Sequence, residues 1–455
     1  MIIRQFFIPG IAHSSYLVAG SRSCVVIDPS RDIGRYTRAA KEMGLSITHI
    51  FGTHLHADFI SGHLDLADAT GAVIFAPRAA GCAYPHTPLA EGDEILLEDM
   101  RFSVIETAGH TPEHICYLAT DTSRGETPVA IFSGDTLFIG DVGRPDLFPG
   151  RAKELASRLY DNLHTKILSL PDECEVYPAH GKGSLCGRAM TAKRSGTIGY
   201  ERKYNYALRI PGRDAFVQAL TEDMPAAPDH FSRCSEINRA GPVLIKNLTE
   251  PVPLEPALFS NRIRTGDAVL LDVRGYPGFS GLHVPGAWNL DLAGNFSTNA
   301  GWVLPPGREI FLVVDDEWQV HEAMLQLRRV GFDRVAGFLD GGLLAWGMQG
   351  LPLARVPVLS AGEADTQVRS GAAVLLDVRS KEEWQAGHAE QSLHIPWHDL
   401  RSRFSSLDPS LHYIAMCKGG QRGSTAAGIL KMHGFTSVSN LGGGYEAYRR
   451  GGFAP

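Results

Sequence analysis

The string Ala-Val-Leu-Leu-Asp-Val-Arg occurs twice, at 268–274 and again at 373–379. An unaltered echo of this kind marks one supersecondary unit used twice, which constrains the whole second half of the chain. In both copies a histidine follows the aspartate by eleven residues, His283 and His388. A second apolar run comes next, at 310–314 and at 413–416, then a helix-like stretch ending in Gly331-Phe332 or Gly434-Phe435. Each copy closes on a glycine-rich turn and an aromatic: Asp340-Gly341-Gly342 with Trp346, and Gly442-Gly443-Gly444 with Tyr445. Apolar runs alternating with helical patterns predict a parallel α/β sheet in each copy. The copies span 255–352 and 358–455, joined through the proline-containing stretch at 351–357.

A length of 455 residues suggests about three domains of roughly 150 residues, so residues 1–240 form the remaining one. Short β-like runs lie at 16–18, 24–27, 73–76, 102–107, 115–118 and 129–132, with helical candidates at 33–43 and 152–163. Prolines at 225–228 and 251–256 mark the passage into the first repeat. With 44% hydrophobic and 20% charged residues, the composition suits soluble domains with sizeable cores. A net charge of -7 gives no basic face for nucleic acid. No run approaches the roughly 18 apolar residues of a membrane span. Residues 1–20, with Arg4 and His13 inside their apolar part, lack a secretory-signal layout. The seven cysteines (Cys24, Cys82, Cys116, Cys174, Cys186, Cys234 and Cys417) are odd in number, widely spaced and form no CxxC pair. They make neither a disulfide framework nor a Cys-rich zinc site, which places the chain in the cytoplasm or another reducing compartment. Most of them read as small buried hydrophobes.

The run Thr53-His54-Leu55-His56-Ala57-Asp58-Phe59 follows a strand-like segment at 47–51 and puts three potential metal ligands at alternate positions. Phe59 stands where a two-metal hydrolase would place another histidine, and a phenyl ring ligates nothing. Three later segments carry further candidates: Ala108-Gly109-His110-Thr111-Pro112, Ser133-Gly134-Asp135-Thr136 and Tyr177-Pro178-Ala179-His180-Gly181. Each follows an apolar strand, and its glycine, proline or alanine neighbours let the backbone turn tightly beside a ligand. His49 and His63 flank the first motif and read as local structural residues. Pro112 argues against a helical metal pair between His110 and His114, and His13 and His86 belong to no constellation.

Together these segments resemble the metallo-β-lactamase fold, an αββα sandwich with metal ligands on loops at one edge. Within it, Gly134-Asp135-Thr136-Leu137-Phe138 followed by Gly143-Arg144-Pro145-Asp146-Leu147 resembles the persulfide dioxygenases, whose iron is held by two histidines and one aspartate. The resemblance implies one Fe(II) per chain on His54, His110 and Asp135. His56, Asp58 and His180 would then sit behind the ligands and position water or substrate. Such a face leaves about three open positions on octahedral iron, enough for substrate sulfur and dioxygen side by side. Phe59 departs from the fuller HxHxDH pattern and weighs against hydrolysis more than against dioxygenation. Arg144 is placed to hold a carboxylate or phosphate on a thiol cofactor, or else to form an internal salt bridge. Tyr177 and Lys182, flanking His180, are further substrate-binding candidates. Cys186 falls near His180 and could form a mixed disulfide with substrate or be buried.

The two repeats resemble rhodanese domains, whose chemistry rests on one nucleophilic cysteine. In the second, the run at 414–416 leads into Cys417-Lys418-Gly419-Gly420-Gln421-Arg422-Gly423-Ser424 and a helix-like stretch at 424–432. Backbone N–H groups and a helix N-terminus around the sulfur stabilise a persulfide anion. Lys418 and Arg422 add positive charge that activates Cys417 and attracts sulfite or thiosulfate. The first repeat has no cysteine, and its equivalent loop, Val314-Asp315-Asp316-Glu317-Trp318, is acidic. It is expected to be inactive and to serve as a spacer, docking surface or dimer interface. Asp272, Arg274, Asp377 and Arg379 are expected to tie the domains together through internal ion pairs.

The expected whole is an α/β multidomain chain, a metallo-β-lactamase sandwich followed by two rhodanese-like domains with parallel sheets. Its partners would be O2, sulfite or thiosulfate, and a persulfide of the glutathione or coenzyme A type, in a homo-oligomer that engages neither nucleic acid nor membrane. The alternatives are a glyoxalase II-type thioester hydrolase with an appended rhodanese, and a non-enzymatic sulfur-relay scaffold.

Overall fold

The computed structural model describes residues 1–455, the side chain of Thr265 excepted. The chain forms two compact units: Met1–Asn247 with Arg328–Gly331, and Leu248–Leu327 with Phe332–Pro455.

The first unit is a sandwich of two six-stranded sheets. One runs in chain order through Ile2–Ile8, His13–Ala19, Ser23–Ile27, Ser46–Phe51, Val73–Pro77 and Thr87–Leu89. The other has the order Gly196–Thr197, Glu175–Pro178, Ala130–Gly134, Ile115–Asp121, Met100–Glu106 and Glu94–Leu97. Strand alternation makes the layers. Tyr16, Val18, Val25 and Ile27 face inward to Phe102, Val104, Tyr117 and Phe132 of the opposite sheet. Their neighbours Leu17, Ala19, Cys24 and Val26 face outward to Tyr36, Ala39 and Leu66 on the helices Gly34–Glu42 and His63–Thr70. This is the period-2 pattern of strands buried on both faces. On the far side, Leu159 and Phe216 of the helices Ala152–Asn162 and Arg213–Thr221 cover Cys116, Leu118, Ile131 and Val176. No helix among the described residues is long and apolar enough to cross a membrane.

The second unit holds two five-stranded parallel sheets, one per repeat. Their strand orders correspond: Val252–Leu254, Val335–Leu339, Ile310–Val313, Val269–Asp272, Trp288–Asn289, and Val358–Leu359, Val438–Leu441, Tyr413–Met416, Val374–Asp377, Leu393–His394. The echoed sequence explains its own retention. Asp272 ends its strand and receives Arg274 Nε and Nη2 at 2.9 and 2.7 Å. Asp377 receives Arg379 in the same way at 3.0 and 2.6 Å. Each arginine then donates to a carbonyl before the repeated histidine, Leu282 O or Gly387 O. His283 and His388 pin the same turn, each donating from Nδ1 to the carbonyl four residues earlier and stacking on that residue's ring. The ion pairs are therefore internal to each repeat, and the echoed histidines are structural.

The helix Gln421–Met432 starts three residues earlier than the sequence pattern suggests, so Arg422 lies in its first turn. The Cys-free repeat packs along this helix. Ser424 Oγ donates to Asn289 Oδ1 at 2.9 Å, and Thr425 Oγ1 to the Asn289 carbonyl at 2.7 Å. The Tyr276 ring closes on Gly420, where an added Cβ would lie 2.9 Å from it. The repeat without sulfur is thus a wall of the repeat that has it.

Asp377 is fully buried and Arg379 nearly so. Removing one partner of such a pair strands a charge at a cost of about 3–5 kcal/mol. Asp377→Ala should therefore lower the urea midpoint of the second unit markedly, read by tryptophan fluorescence, whereas an exposed control such as Asp408→Ala should leave it almost unchanged.

Candidate metal centre and sulfur site

Loops at the strand ends of both sheets converge in the first unit. His54 follows the strand Ser46–Phe51 of one sheet; Asp135 and His180 follow Ala130–Gly134 and Glu175–Pro178 of the other, and His110 sits in the turn before Ile115–Asp121. One ligand atom each from His54, His110 and Asp135 lies within 4.8 Å of the others, and all three residues are buried. Asp135 Oδ2 is 3.7 Å from His54 Nε2 and 3.3 Å from His110 Nε2. Neither Nε2 has a hydrogen-bond partner among the described residues.

The hydrogen bonds behind the rings fix their tautomers. Thr53 Oγ1 donates to Asp28 Oδ2 at 2.8 Å, so its oxygen accepts from His54 Nδ1 at 2.9 Å. His110 Nδ1 donates to the Arg144 carbonyl at 2.9 Å. Both Nε2 atoms therefore carry lone pairs, the form a metal binds. Burial pushes both imidazoles below their ordinary range, which keeps them neutral. Burial works the other way on Asp135, yet the neighbouring His180 holds its carboxyl well below the usual range. Two neutral imidazoles whose Nε2 atoms lack hydrogen bonds, aimed together with a carboxylate, suit a divalent cation.

His180 Nδ1 donates to Asp135 at 2.8 Å from Oδ1 and 3.0 Å from Oδ2, while its Nε2 lies 2.8 Å from Asp58 Oδ2. Burial opposes the charge, but the two carboxylates hold this imidazole well above its ordinary range. His56 faces Asp28 instead, with Nε2 3.2 Å from Oδ1. Phe59 packs against His13 and His56, ring centroids 4.2 and 4.4 Å away, and shares an apolar pocket with Ile8 and Ile11. The position a second-metal histidine would take is thus filled by hydrocarbon.

The substrate-binding candidates fare differently. Arg144 is buried, with two bonds of 2.7 Å to Asp146 and others to the carbonyls of Leu185 and Pro225. Four of its five N–H donors are engaged inside the chain, its own loop supplying the carboxylate, so it forms the internal salt bridge. Tyr177, half-buried, donates to Glu175 at 2.6 Å and stacks on Phe132, against the core between the sheets. Lys182 is exposed. Cys186 is buried in a cluster with Asp58 and His180. Burial, reinforced by Asp58, pushes its thiol well up, so it stands there as a neutral thiol.

The sequence reading missed the supporting role of several residues around the centre. His114 Nε2 accepts the Asp135 N–H at 2.9 Å, its Nδ1 faces the Thr107 and Thr136 hydroxyls, and burial pushes it down to about 3. Asp28, in the left-handed region at φ 49, receives both the N–H and the hydroxyl of Thr53. Asn238, on the helix His230–Ala240, donates to the carbonyls of His56 and Phe59 and accepts the Ser61 N–H. The positive φ of Asp28 is invisible in sequence, and nothing local marks Asn238.

The second site lies in the other unit. Cys417 is buried at the end of the strand Tyr413–Met416, and the Gly420 N–H donates to its sulfur at 3.0 Å. Lys418 is exposed beside it, and Arg422 is held by Glu383 through bonds of 2.6 and 2.8 Å.

Residues 8–180 match the metallo-beta-lactamase superfamily, and residues 255–349 and 360–450 each match the rhodanese-like domain. The mouse protein named persulfide dioxygenase ETHE1, mitochondrial, is 34% identical over 199 residues, covering 43% of this chain and 74% of its own. A hydroxyacylglutathione hydrolase of Hydrogenovibrio crunogenus is 34% identical over 163 residues, 36% of this chain and 55% of that protein. A solved metallo-beta-lactamase from Staphylococcus aureus superposes with a TM-score of 0.67 at 32% identity, covering 74% of this chain and 98% of its own.

Gly143 tests the centre without touching a ligand. A Cβ there would lie 2.0 Å from the Asp135 carbonyl and 2.9 Å from His110 Cβ. Gly143→Ala must push these two residues apart, and metal affinity should fall by about 10–100-fold, as when a supporting residue is lost; competition with a chromogenic chelator reads the change, with circular dichroism to check the fold.

Proposed function

The chain belongs to the persulfide dioxygenase family of the metallo-β-lactamase superfamily, carrying two rhodanese-like domains after it, and on that premise we propose that its first domain is a mononuclear Fe(II) persulfide dioxygenase. The observation that carries the reading is the buried convergence of His54 Nε2 and His110 Nε2, neither hydrogen-bonded, on Asp135 Oδ2, beside a position closed by Phe59. A ferrous ion held by these three residues would supply redox capacity and open positions for a sulfur anion and dioxygen. The overall change is R–S–SH with O2 and water giving R–SH and sulfurous acid, which ionises to sulfite. The outer sulfur is oxidised, dioxygen is reduced, and the S–S bond breaks.

The protein's part is positioning and charge. His180 holds the Asp135 carboxylate through its Nδ1 and carries the positive charge that keeps it ionised. Phe59 and its apolar neighbours keep one side of the centre dry. Asp28, through Thr53, holds His54 in the tautomer that offers Nε2.

The last domain is a sulfurtransferase working through Cys417. The Cys417 sulfur attacks the outer sulfur of a persulfide, an S–S bond forms, and the thiol leaves with its electron pair and takes up a proton. Sulfite then takes that sulfur, giving thiosulfate and restoring the thiol. The two domains together would serve sulfide detoxification. Likeness to hydroxyacylglutathione hydrolases supports a thioester hydrolase as the second reading, and Phe59 weighs against it.

Protein reconstituted with Fe(II) without oxygen should, on addition of glutathione persulfide and air, consume O2 and release sulfite. Two zinc ions per chain with turnover of S-lactoylglutathione would select the hydrolase. Cys417→Ser should abolish thiosulfate chemistry and leave O2 uptake intact; loss of both would contradict separate sites.

A further inference from the structure

The loop around Cys417 reads as strongly basic in sequence, and the fold cancels much of that charge. The Arg422 guanidinium, in the first turn of the helix Gln421–Met432, is held by both oxygens of Glu383 at 2.6 and 2.8 Å. Burial works against its charge, but the Glu383 pairing outweighs it and raises Arg422 above its ordinary range. Glu383 is itself fixed: its Oε2 accepts the Ser380 N–H at 3.0 Å, and its own N–H donates to Ser380 Oγ in a capping box. A second carboxylate comes from the Cys-free repeat. Asp291 Oδ2 accepts from Gln421 Nε2 at 3.1 Å, one residue before Arg422. Nearby Arg379 is neutralised by Asp377. Lys418 is left as the cation of this loop without an ion-pair partner among the described residues.

An arginine fork can grip a dianion such as thiosulfate or sulfate at two points only if its donors are free. Here two of those donors already point at a carboxylate. We propose that Glu383 is a specificity-determining residue that holds Arg422 away from the sulfur donor, with Asp291 reinforcing it, so that the Cys417 loop binds dianionic thiosulfate weakly relative to a thiol persulfide. The proposal rests on the sulfurtransferase reading of Cys417. It gives the Cys-free repeat a share in specificity, through Asp291, in addition to its packing. It also bears on the direction of transfer: a loop that grips thiosulfate weakly releases it readily, which suits a site that makes thiosulfate from persulfide.

Glu383→Gln keeps a side chain able to cap Ser380 and removes the charge that restrains Arg422. In the full-length protein, the KM for thiosulfate should fall about fivefold, the scale of a partly exposed ion pair. The KM for glutathione persulfide should change less than about twofold, and kcat should move less than the thiosulfate KM. Asp291→Asn should shift the thiosulfate KM in the same direction by a smaller factor. An unchanged or raised thiosulfate KM in Glu383→Gln, or an equal fall for both donors, would overturn the proposal. Protection of Cys417 from iodoacetamide by inorganic sulfate, a dianion that transfers no sulfur, separates this outcome from failure of the sulfurtransferase reading. Even if neither protein transfers sulfur, about fivefold tighter protection in the variant supports the role of Glu383, and equal protection rejects it.

Discussion

Three ligand atoms that face one another in a dry interior, with nothing bonded to two of them, are what the first unit is organised around. The Nε2 atoms of His54 and His110 are buried without partners, and Asp135 adds a carboxylate between them. Each unsatisfied buried polar group costs about 1–3 kcal/mol, and more when a charge is involved. A divalent cation removes that penalty at a stroke, so metal binding and the stability of this edge are one equilibrium. Loops from both sheets meet there, and the hydrogen bonds behind them run outward through Thr53, Asp28, His114 and His180. The supporting shell is larger than the ligand set, as an exacting geometry requires.

The duplicated second unit shows one frame put to two uses. Both repeats keep the strand-ending aspartate, its arginine and the stacked histidine, because these close the same turn from within. They diverge where the chemistry would be. One has Cys417 with a loop N–H on its sulfur; the other has Val314 at the equivalent place, followed by Asp315 and Asp316. Although it has no cysteine, the first repeat takes part in the site, since Asn289 and Tyr276 support the helix and loop that carry Cys417.

What sequence could reveal was whatever is written locally. Strand alternation around Tyr16–Val18 and Val25–Ile27, the ligand loops after apolar runs, and the echoed repeats all depend on neighbours in the chain, and all are legible there. The direction of a side chain is not always so written. Arg144 and Tyr177 lie in the right segments, yet one is claimed by Asp146 two residues on and the other packs against the core between the sheets. Asn238 reaches the metal loop from about 180 positions away, and only the folded chain reveals it. Likewise the positive charge of Arg422 is plain in sequence, whereas its neutralisation by Glu383, 39 positions earlier, is a property of the fold.

The account turns on a single ion at the edge of the sandwich. Crystals grown without oxygen from iron-loaded protein, measured on both sides of the iron absorption edge, test this most directly. The expected result is one anomalous peak within coordination distance of His54 Nε2, His110 Nε2 and Asp135 Oδ2, with no second peak near Asp58. Two peaks, or a zinc signal shared between Asp58 and His180, would contradict the account.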